Sequence, residues 1–205
     1  MEFGQWLSLL SICLLGAMSP GPSLAVMVKA TLGGGHRAGY PAALAHGAGV
    51  GLYGLLTVTG LAVLITRSPG IFLALQVMGA FYLLYLGIKS LRNSGDTGLL
   101  DTTSSGGRSA AVDGFLVAFL NPKLAVFMLA LFSQFLQPDT GIQQKAIMVA
   151  TVGITDACWY ALVVALLSRN TFLDKLRRSA TTIDRIFGVI LIALALSVLA
   201  NALLV

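Results

Sequence analysis

Six long apolar segments constrain this chain more than any other feature of its sequence. A helix that spans a bilayer needs about 20 mainly apolar residues. Six stretches meet that length, at about residues 5–29, 40–65, 70–90, 113–136, 145–168 and 184–204. Membrane β-strands would be about ten residues long and would alternate in polarity, which these stretches do not. The sequence therefore predicts an all-α, polytopic membrane protein with six transmembrane helices.

Composition supports the same class and excludes several others. Apolar residues make up 57% of the chain and charged residues only 10%, too few for the surface of a water-soluble domain. The net charge of +5 does not indicate a nucleic-acid partner, because the basic residues lie at the ends of apolar segments. The two cysteines have no CxxC spacing and no clustered His residues, so we predict no disulfide framework, no metal site and no cofactor.

Positive charges predict the orientation in the membrane. The loops after the first, third and fifth segments carry most of the Lys and Arg residues, whereas the other side carries only Arg67 and Lys145. By the positive-inside rule these three loops are cytoplasmic and both termini lie outside. No Lys or Arg precedes Trp6, as a signal peptide would require, so we expect the first segment to stay attached.

The longest connection divides the chain into two similar parts. Residues 92–112 are rich in Gly, Ser and Thr and are predicted to form a mobile cytoplasmic linker between residues 1–91 and 113–205. Each part holds three helices, and Pro20 and Pro122 occupy corresponding places in the first helix of each. Two parts of three helices are inverted relative to each other, so the sequence predicts a 3+3 inverted repeat with broken helices 1 and 4.

The first of these breaks is the run Ser19, Pro20, Gly21, Pro22 and Ser23, in the middle of the first segment. Proline lacks an N–H and clashes with the carbonyl four residues earlier, so the helix loses hydrogen bonds here. In hydrocarbon each unsatisfied backbone group costs several kcal/mol unless it faces protein or a water-filled cavity. A simple kink that helps packing is the alternative. Two prolines flanked by two serines favour a break that lines a ligand site.

The fourth segment contains a similar break with an added charge, Asn121, Pro122 and Lys123. Lys123 is ten residues from Asp113, or roughly 15 Å along a helix, which places it near the middle of the bilayer. A lysine there costs about 2.5–3.5 kcal/mol even on the most lenient insertion scale. Snorkelling to the surface is the alternative, but the side chain is too short for that from mid-membrane. We predict that Lys123 faces a cavity.

Three further polar residues in the apolar segments are candidates for the same site. Asp156 is the only acid within an apolar run, and its natural partner is Lys123, in a pair that is either a structural salt bridge or protonatable. Tyr160 lies one helical turn beyond Asp156 and can reach the same cavity or serve in packing. His46 titrates near neutral pH, so it is either a proton carrier or a buried packing residue.

Small residues spaced four apart form one face of the second helix. Ala43, Gly47 and Gly51 lie on this face and allow a neighbouring helix to approach closely. Such a face suits an internal contact or a homodimer.

With these residues laid out, the chain resembles the LysE/RhtB family of amino-acid exporters over nearly its whole length. The resemblance lies in SPGPS, GGGHRAGYPAAL, MGAFYLLYLGIKSLR, GFLVAFLNPKLAVFMLALFSQF and TDACWY, in this order and spacing. It implies a six-helix protein of the bacterial inner membrane that moves amino acids or close derivatives outward in exchange for protons. Carried over by position, the pathway would be formed by Pro20, Gly21, Pro22, Asn121, Pro122, Lys123 and Asp156.

Two positions depart from the family pattern. Family members often have Asn where Ser23 stands and an acidic residue near Val50. His46 is therefore a candidate substitute for the missing acid.

These features together predict a secondary active exporter that works by alternating access. Its substrate would be bound by residues 19–23 and 121–123 and by Tyr160, with Asp156 and His46 coupling transport to protons. The alternatives are an ion channel or a non-transporting membrane scaffold. A membrane-embedded enzyme is disfavoured, because the sequence has no HExxH motif, no GxSxG motif and no cluster of acids that would hold a metal.

Overall fold

The computed structural model describes residues 1–19, 21–92, 109–167 and 170–203. The side chains of residues 65, 66, 69, 122, 123, 170–177 and 201–203 are not part of this description. Three predicted features therefore lie outside the described residues: Pro20, the side chains of Pro122 and Lys123, and positions 93–108 of the predicted linker.

All regular structure in the described ranges is helical. The helices are α1 (Phe3–Met18), α2 (Pro22–Gly34), α3 (His36–Arg67), α4 (Pro69–Arg92), α5 (Ala110–Phe119), α6 (Pro122–Phe135), α7 (Ile142–Leu166) and α8 (Asn170–Leu203). Within α3, α4, α7 and α8 there are stretches long and apolar enough to cross a membrane. Two bent pairs of shorter helices bring the number of spans to as many as six. The predicted all-α membrane fold is confirmed.

Both predicted helix breaks are present as sharp bends. Helices α1 and α2 meet at 59°, on either side of the Pro-Gly-Pro run. Helices α5 and α6 meet at 57°, at the Asn-Pro pair of the fourth segment. In both places a proline stands at the first position of the second helix, where its missing N–H costs no helical hydrogen bond. The prolines therefore begin new helices rather than merely kink continuous ones.

Helices α3 and α7 form the centre of the bundle. Helix α3 packs along α7 and α5, while α4 packs along α8 and α6. The two bent pairs lie against this framework, with α1 on α7 and α2 on α3. The bends consequently face the interior of the bundle.

Glycines allow the helices of two of these pairs to pack with their backbones in direct contact. A Cβ atom built on Gly153 of α7 would lie 3.2 Å from Gly51 Cα of α3. One built on Gly188 of α8 would lie 2.6 Å from the Gly87 oxygen of α4. Gly51 and Gly153 are 102 residues apart, the same separation as Pro20 and Pro122. Contacts between corresponding helices fit a two-fold relation between the two halves, whose opposite orientation in the membrane stays a prediction.

Some helix bounds differ from the apolar windows. Helix α8 begins at Asn170, well before the predicted start at about residue 184. Hydropathy detects only the apolar part of a helix, and the first two turns of α8 are rich in charged residues. Both ends of the predicted linker are also helical, because α4 includes Arg92 and α5 begins at Ala110.

Candidate functional site

A cavity of about 160 Å³ lies where the two bends face each other. Both breaks contribute to its wall, as do α3, α4, α7 and α8. Its polar lining consists of Ser19, Ser23, His46, Lys89, Ser90, Asn121, Asp156 and Tyr160. The remaining lining residues are Cys13, Gly16, Ala17, Gly21, Pro22, Val50, Leu86, Leu124, Phe127, Met128, Val152 and Phe187. Every predicted site residue whose side chain is described borders this one cavity.

The first break presents an open helix start to the cavity. Ser19 caps α1, and its backbone N–H still donates to the Leu15 carbonyl at 3.0 Å. Gly21 is extended and precedes α2 without any side-chain cap. The first turn of a helix carries N–H groups with no partner inside the helix. The end of α1 and the start of α2 thus bring partial charges of opposite sign to the cavity wall.

The second break is capped by its own side chain. The Leu124 N–H donates to Asn121 Oδ1 at 3.3 Å, which closes the first turn of α6. The backbone N–H of Asn121 donates to the Ala118 carbonyl at 3.3 Å. Asn121 therefore holds the second break in shape while it also borders the cavity.

His46 and Asp156 form a buried pair on one wall of the cavity. His46 Nδ1 and Asp156 Oδ2 are 2.5 Å apart, and the two residues are 2% and 9% exposed. The Tyr160 ring meets the His46 ring edge to face, with centroids 4.9 Å apart, and Ser23 lies beside Tyr160. His46 Nε2 has no hydrogen-bond partner among the described residues. The predicted pairing of Asp156 with Lys123 stays a prediction, because that side chain lies outside the described residues.

Close packing of α3 on α7 explains why this pair forms. A Cβ atom on Gly47 would lie 2.5 Å from Ala157 Cβ and 2.8 Å from the Gly153 oxygen. His46 precedes Gly47, and Asp156 precedes Ala157, so the glycine contact brings the two polar side chains together. The small-residue face of α3 is occupied by α7 of the same chain, and the possible homodimer stays a prediction.

Three polar residues near the cavity were not among the predicted site residues. Lys89 and Ser90 line it from the end of α4. Asp184 of α8 is 5% exposed and accepts a hydrogen bond from the Ser19 hydroxyl, with Ser19 Oγ 2.7 Å from Asp184 Oδ1. The statement that Asp156 is the only acid buried in an apolar run is therefore wrong. Asp184 is the first residue of the sixth apolar segment, and this position was the signal by which the sequence could have identified it.

The rest of the cavity lining is mostly apolar. Leu86, Phe127, Met128, Val152 and Phe187 line it, with Phe127 and Phe187 in ring contact at 6.2 Å. A molecule with both polar and apolar groups would match this mixed lining. In the described part of the chain, no three His, Cys, Asp or Glu side chains are grouped as ligands of a metal ion.

Comparison with known proteins finds a matching translocator family and relatives that are named membrane or efflux proteins. The family model for the LysE type translocator matches residues 14–202. A leucine efflux protein of Salmonella typhimurium is 30% identical, over 71% of this chain and 70% of its own length. A homoserine/homoserine lactone efflux protein of the same organism is 29% identical over 92% of both chains. The uncharacterized membrane protein YrhP of Bacillus subtilis is 25% identical, over 91% of this chain and 94% of its own. No solved structure matches the chain significantly.

Proposed function

Because the chain belongs to the family of LysE type translocators, we propose that it exports amino acids or close derivatives from the cell. Relatives named leucine efflux protein and homoserine/homoserine lactone efflux protein support this substrate class. The proposed location is the inner membrane of a bacterium, with both termini outside and the loops after the first, third and fifth spans in the cytoplasm.

One observation carries this proposal: two broken helices border one cavity together with a buried ionisable pair. Main-chain groups freed at a break are tolerated in a membrane only where they face protein or a water-filled space. Discontinuous helices of this kind bind substrates in many secondary transporters. A scaffold without transport would need neither the two breaks nor the cavity.

The polar residues of the lining suit the two charged groups of an amino acid. Main-chain groups at the two breaks, together with Ser23 and Asn121, bind its amino and carboxylate groups. Lys123 attracts the carboxylate from the second break. Tyr160 closes the site beside Ser23. The apolar residues of the lining receive the substrate side chain and suit a small or medium apolar group better than a charged one.

Proton coupling is assigned to Asp156 and His46. Two ionisable groups in contact with each other can share or release one proton as their surroundings change. Proton entry from outside would protonate the pair, and the bundle would then return its cavity to the cytoplasmic side. Export follows by alternating access, with the cavity open to one side of the membrane at a time.

The test is a screen of culture medium from cells that overproduce the protein. We expect one or a few amino acids or their derivatives to accumulate outside, and the saturable efflux to depend on the proton gradient. Asp156→Asn should abolish this export while the protein remains in the membrane at wild-type amounts. Asp139→Asn is the matched control, because Asp139 is exposed in the turn before α7 and does not line the cavity.

Two results would contradict the proposal. Normal export by Asp156→Asn would remove that carboxylate from the mechanism. Ion currents through the purified protein in the absence of any amino acid would favour the channel alternative.

A further inference from the structure

Asp184 is a buried acid within a candidate membrane span, and no cation of the described residues forms an ion pair with it. It lies in the apolar stretch Arg178–Ala200 of α8. Its carboxylate accepts the Ser19 hydroxyl, and its backbone carbonyl accepts the Ser90 hydroxyl at 2.8 Å. In the described part of the chain, no Lys, Arg or His forms an ion pair with it, whereas Asp156 has His46.

Among the described residues, the Ser19 hydroxyl is the one group that donates to the Asp184 carboxylate. An ionised carboxylate has about four acceptor sites, and a single hydroxyl occupies one of them. Burying such a group without a cation is costly, and buried charges in proteins are paired as a rule. A cationic group that comes and goes with the substrate would supply the missing charge.

The Ser19 hydroxyl connects Asp184 to the cavity. Ser19 has one hydroxyl proton, and it is used in the bond to Asp184 Oδ1. Toward the cavity the oxygen therefore offers only lone pairs, so it can accept a hydrogen bond but cannot donate one. Ser19 also stands at the C-terminal end of α1, where the helix dipole is negative. Hydroxyl, dipole and buried carboxylate all favour a positively charged donor at this point.

We infer that the ammonium group of the substrate binds at Ser19, with Asp184 as the positioning residue behind it. The inference rests on the proposed export of amino acids and specifies how the substrate is oriented. Its carboxylate then lies toward the helix starts of α2 and α6, which border the same cavity. Asp156 and His46 are left free for the proton. The two buried acids thus have separate tasks, one for the substrate and one for the coupling ion.

The test compares two probes that differ only in the charged amino group. L-leucine and its 2-hydroxy acid, 4-methyl-2-hydroxypentanoate, have the same carbon skeleton and the same carboxylate. Each competes for exchange of labelled leucine across vesicles that contain the purified full-length protein and unlabelled leucine. Exchange needs no proton gradient, so the measurement is independent of the role of Asp156. The same assay is run with L-homoserine and its 2-hydroxy acid.

We expect Asp184→Asn to weaken apparent leucine affinity by about 10- to 100-fold, the range for a hydrogen bond to a charged group. Affinity for the hydroxy acid should change little, so the preference for the ammonium probe falls. Ser19→Ala should give the same selective loss. Ser11→Ala is its matched control, because the Ser11 hydroxyl is bonded to Leu7 of the same helix and does not line the cavity.

Equal losses for both probes in Asp184→Asn and Ser19→Ala would overturn the inference, because they would show a purely structural role. Unchanged affinity for both probes would overturn it as well. If the wild-type protein exchanges neither amino acid, the proposed function itself fails for these substrates and the inference fails with it. Because the readout is a ratio of two affinities, partial loss of folded protein does not imitate the expected result.

Discussion

The close contact between α3 and α7 leads to a graded prediction for three alanine substitutions. A Cβ atom at Gly47 would lie 2.5–2.9 Å from atoms of Ala157 and Gly153, two of the three nearest being backbone atoms that cannot rotate away. At Gly153 the nearest atoms would be 3.2 Å away, and at Gly51 the nearest would be 3.8 Å away. The added methyl group therefore overlaps severely with its neighbours at Gly47, slightly at Gly153 and not at all at Gly51.

The expected energies follow from these distances. Overpacking a tight contact costs typically 1–3 kcal/mol, and a clash with backbone belongs at the upper end of that range. Replacing Gly by Ala within a helix, where no clash results, raises the free energy of unfolding by about 0.5–1 kcal/mol. Gly47→Ala should thus lower the free energy of unfolding by about 2 kcal/mol, whereas Gly51→Ala should raise it by about 0.5–1 kcal/mol. Gly153→Ala should fall between them, near zero.

Thermal unfolding of the three purified variants tests this order. At about 2–4 °C per kcal/mol for a chain of this size, Gly47→Ala should unfold roughly 4–8 °C below the wild type. Gly51→Ala should unfold at or slightly above the wild-type temperature. Gly4→Ala is the control, because a Cβ atom there would meet nothing within 4 Å. An equal fall for Gly47→Ala and Gly51→Ala would refute the reasoning, since it would mean that the helices do not cross at this residue.

Two further predictions concern single side chains. Trp6→Phe removes the bond from Trp6 Nε1 to Thr151 Oγ1 at 3.1 Å and should lower the free energy of unfolding by about 1 kcal/mol. Trp159→Phe removes an indole N–H that is buried without a partner among the described residues, so no hydrogen bond is lost. If both substitutions lowered the free energy of unfolding equally, this contrast would be contradicted.

The sequence was most informative where local chemistry decides the structure. Proline cannot continue a helix, so the residues around Pro22 and Pro122 predicted both breaks without knowledge of the fold. The length of each apolar segment predicted the helical class and the membrane location in the same way. Polar residues inside those segments then predicted six of the eight polar residues that line the cavity.

The pairing of the buried charges could not be predicted in this way. His46 and Asp156 are 110 residues apart, and their contact depends on how α3 and α7 pack. Because opposite charges attract, Lys123 was the predicted partner of Asp156, and that pairing stays a prediction, whereas the contact with His46 was not predicted. The glycine face of α3 was recognised, but the sequence did not say which helix fills it. Contacts between distant segments are set by tertiary packing, which one sequence does not show.

Asp184 was missed for a different reason. It stands beside Arg185, at the end of a charged stretch that is typical of the membrane surface. Its burial results from contact with Ser19, 165 residues earlier, and with Ser90 of α4. Lys89 likewise stands at the end of the third apolar segment, and it lines the cavity. At the boundary of a span, composition alone does not distinguish a lipid-surface residue from one that faces an internal cavity.

The mixed lining of the cavity, in which helix ends and polar side chains stand beside apolar ones, has an evolutionary consequence. In the proposed site, the groups common to all amino acids meet helix ends and the polar side chains beside them, and the N–H and carbonyl groups of the helix ends survive most substitutions unchanged. The variable part of the substrate meets side chains such as Leu86, Phe127 and Phe187, which a single mutation can enlarge or shrink. A lineage can therefore acquire a new cargo by altering a few apolar positions while its general chemistry of recognition is inherited intact.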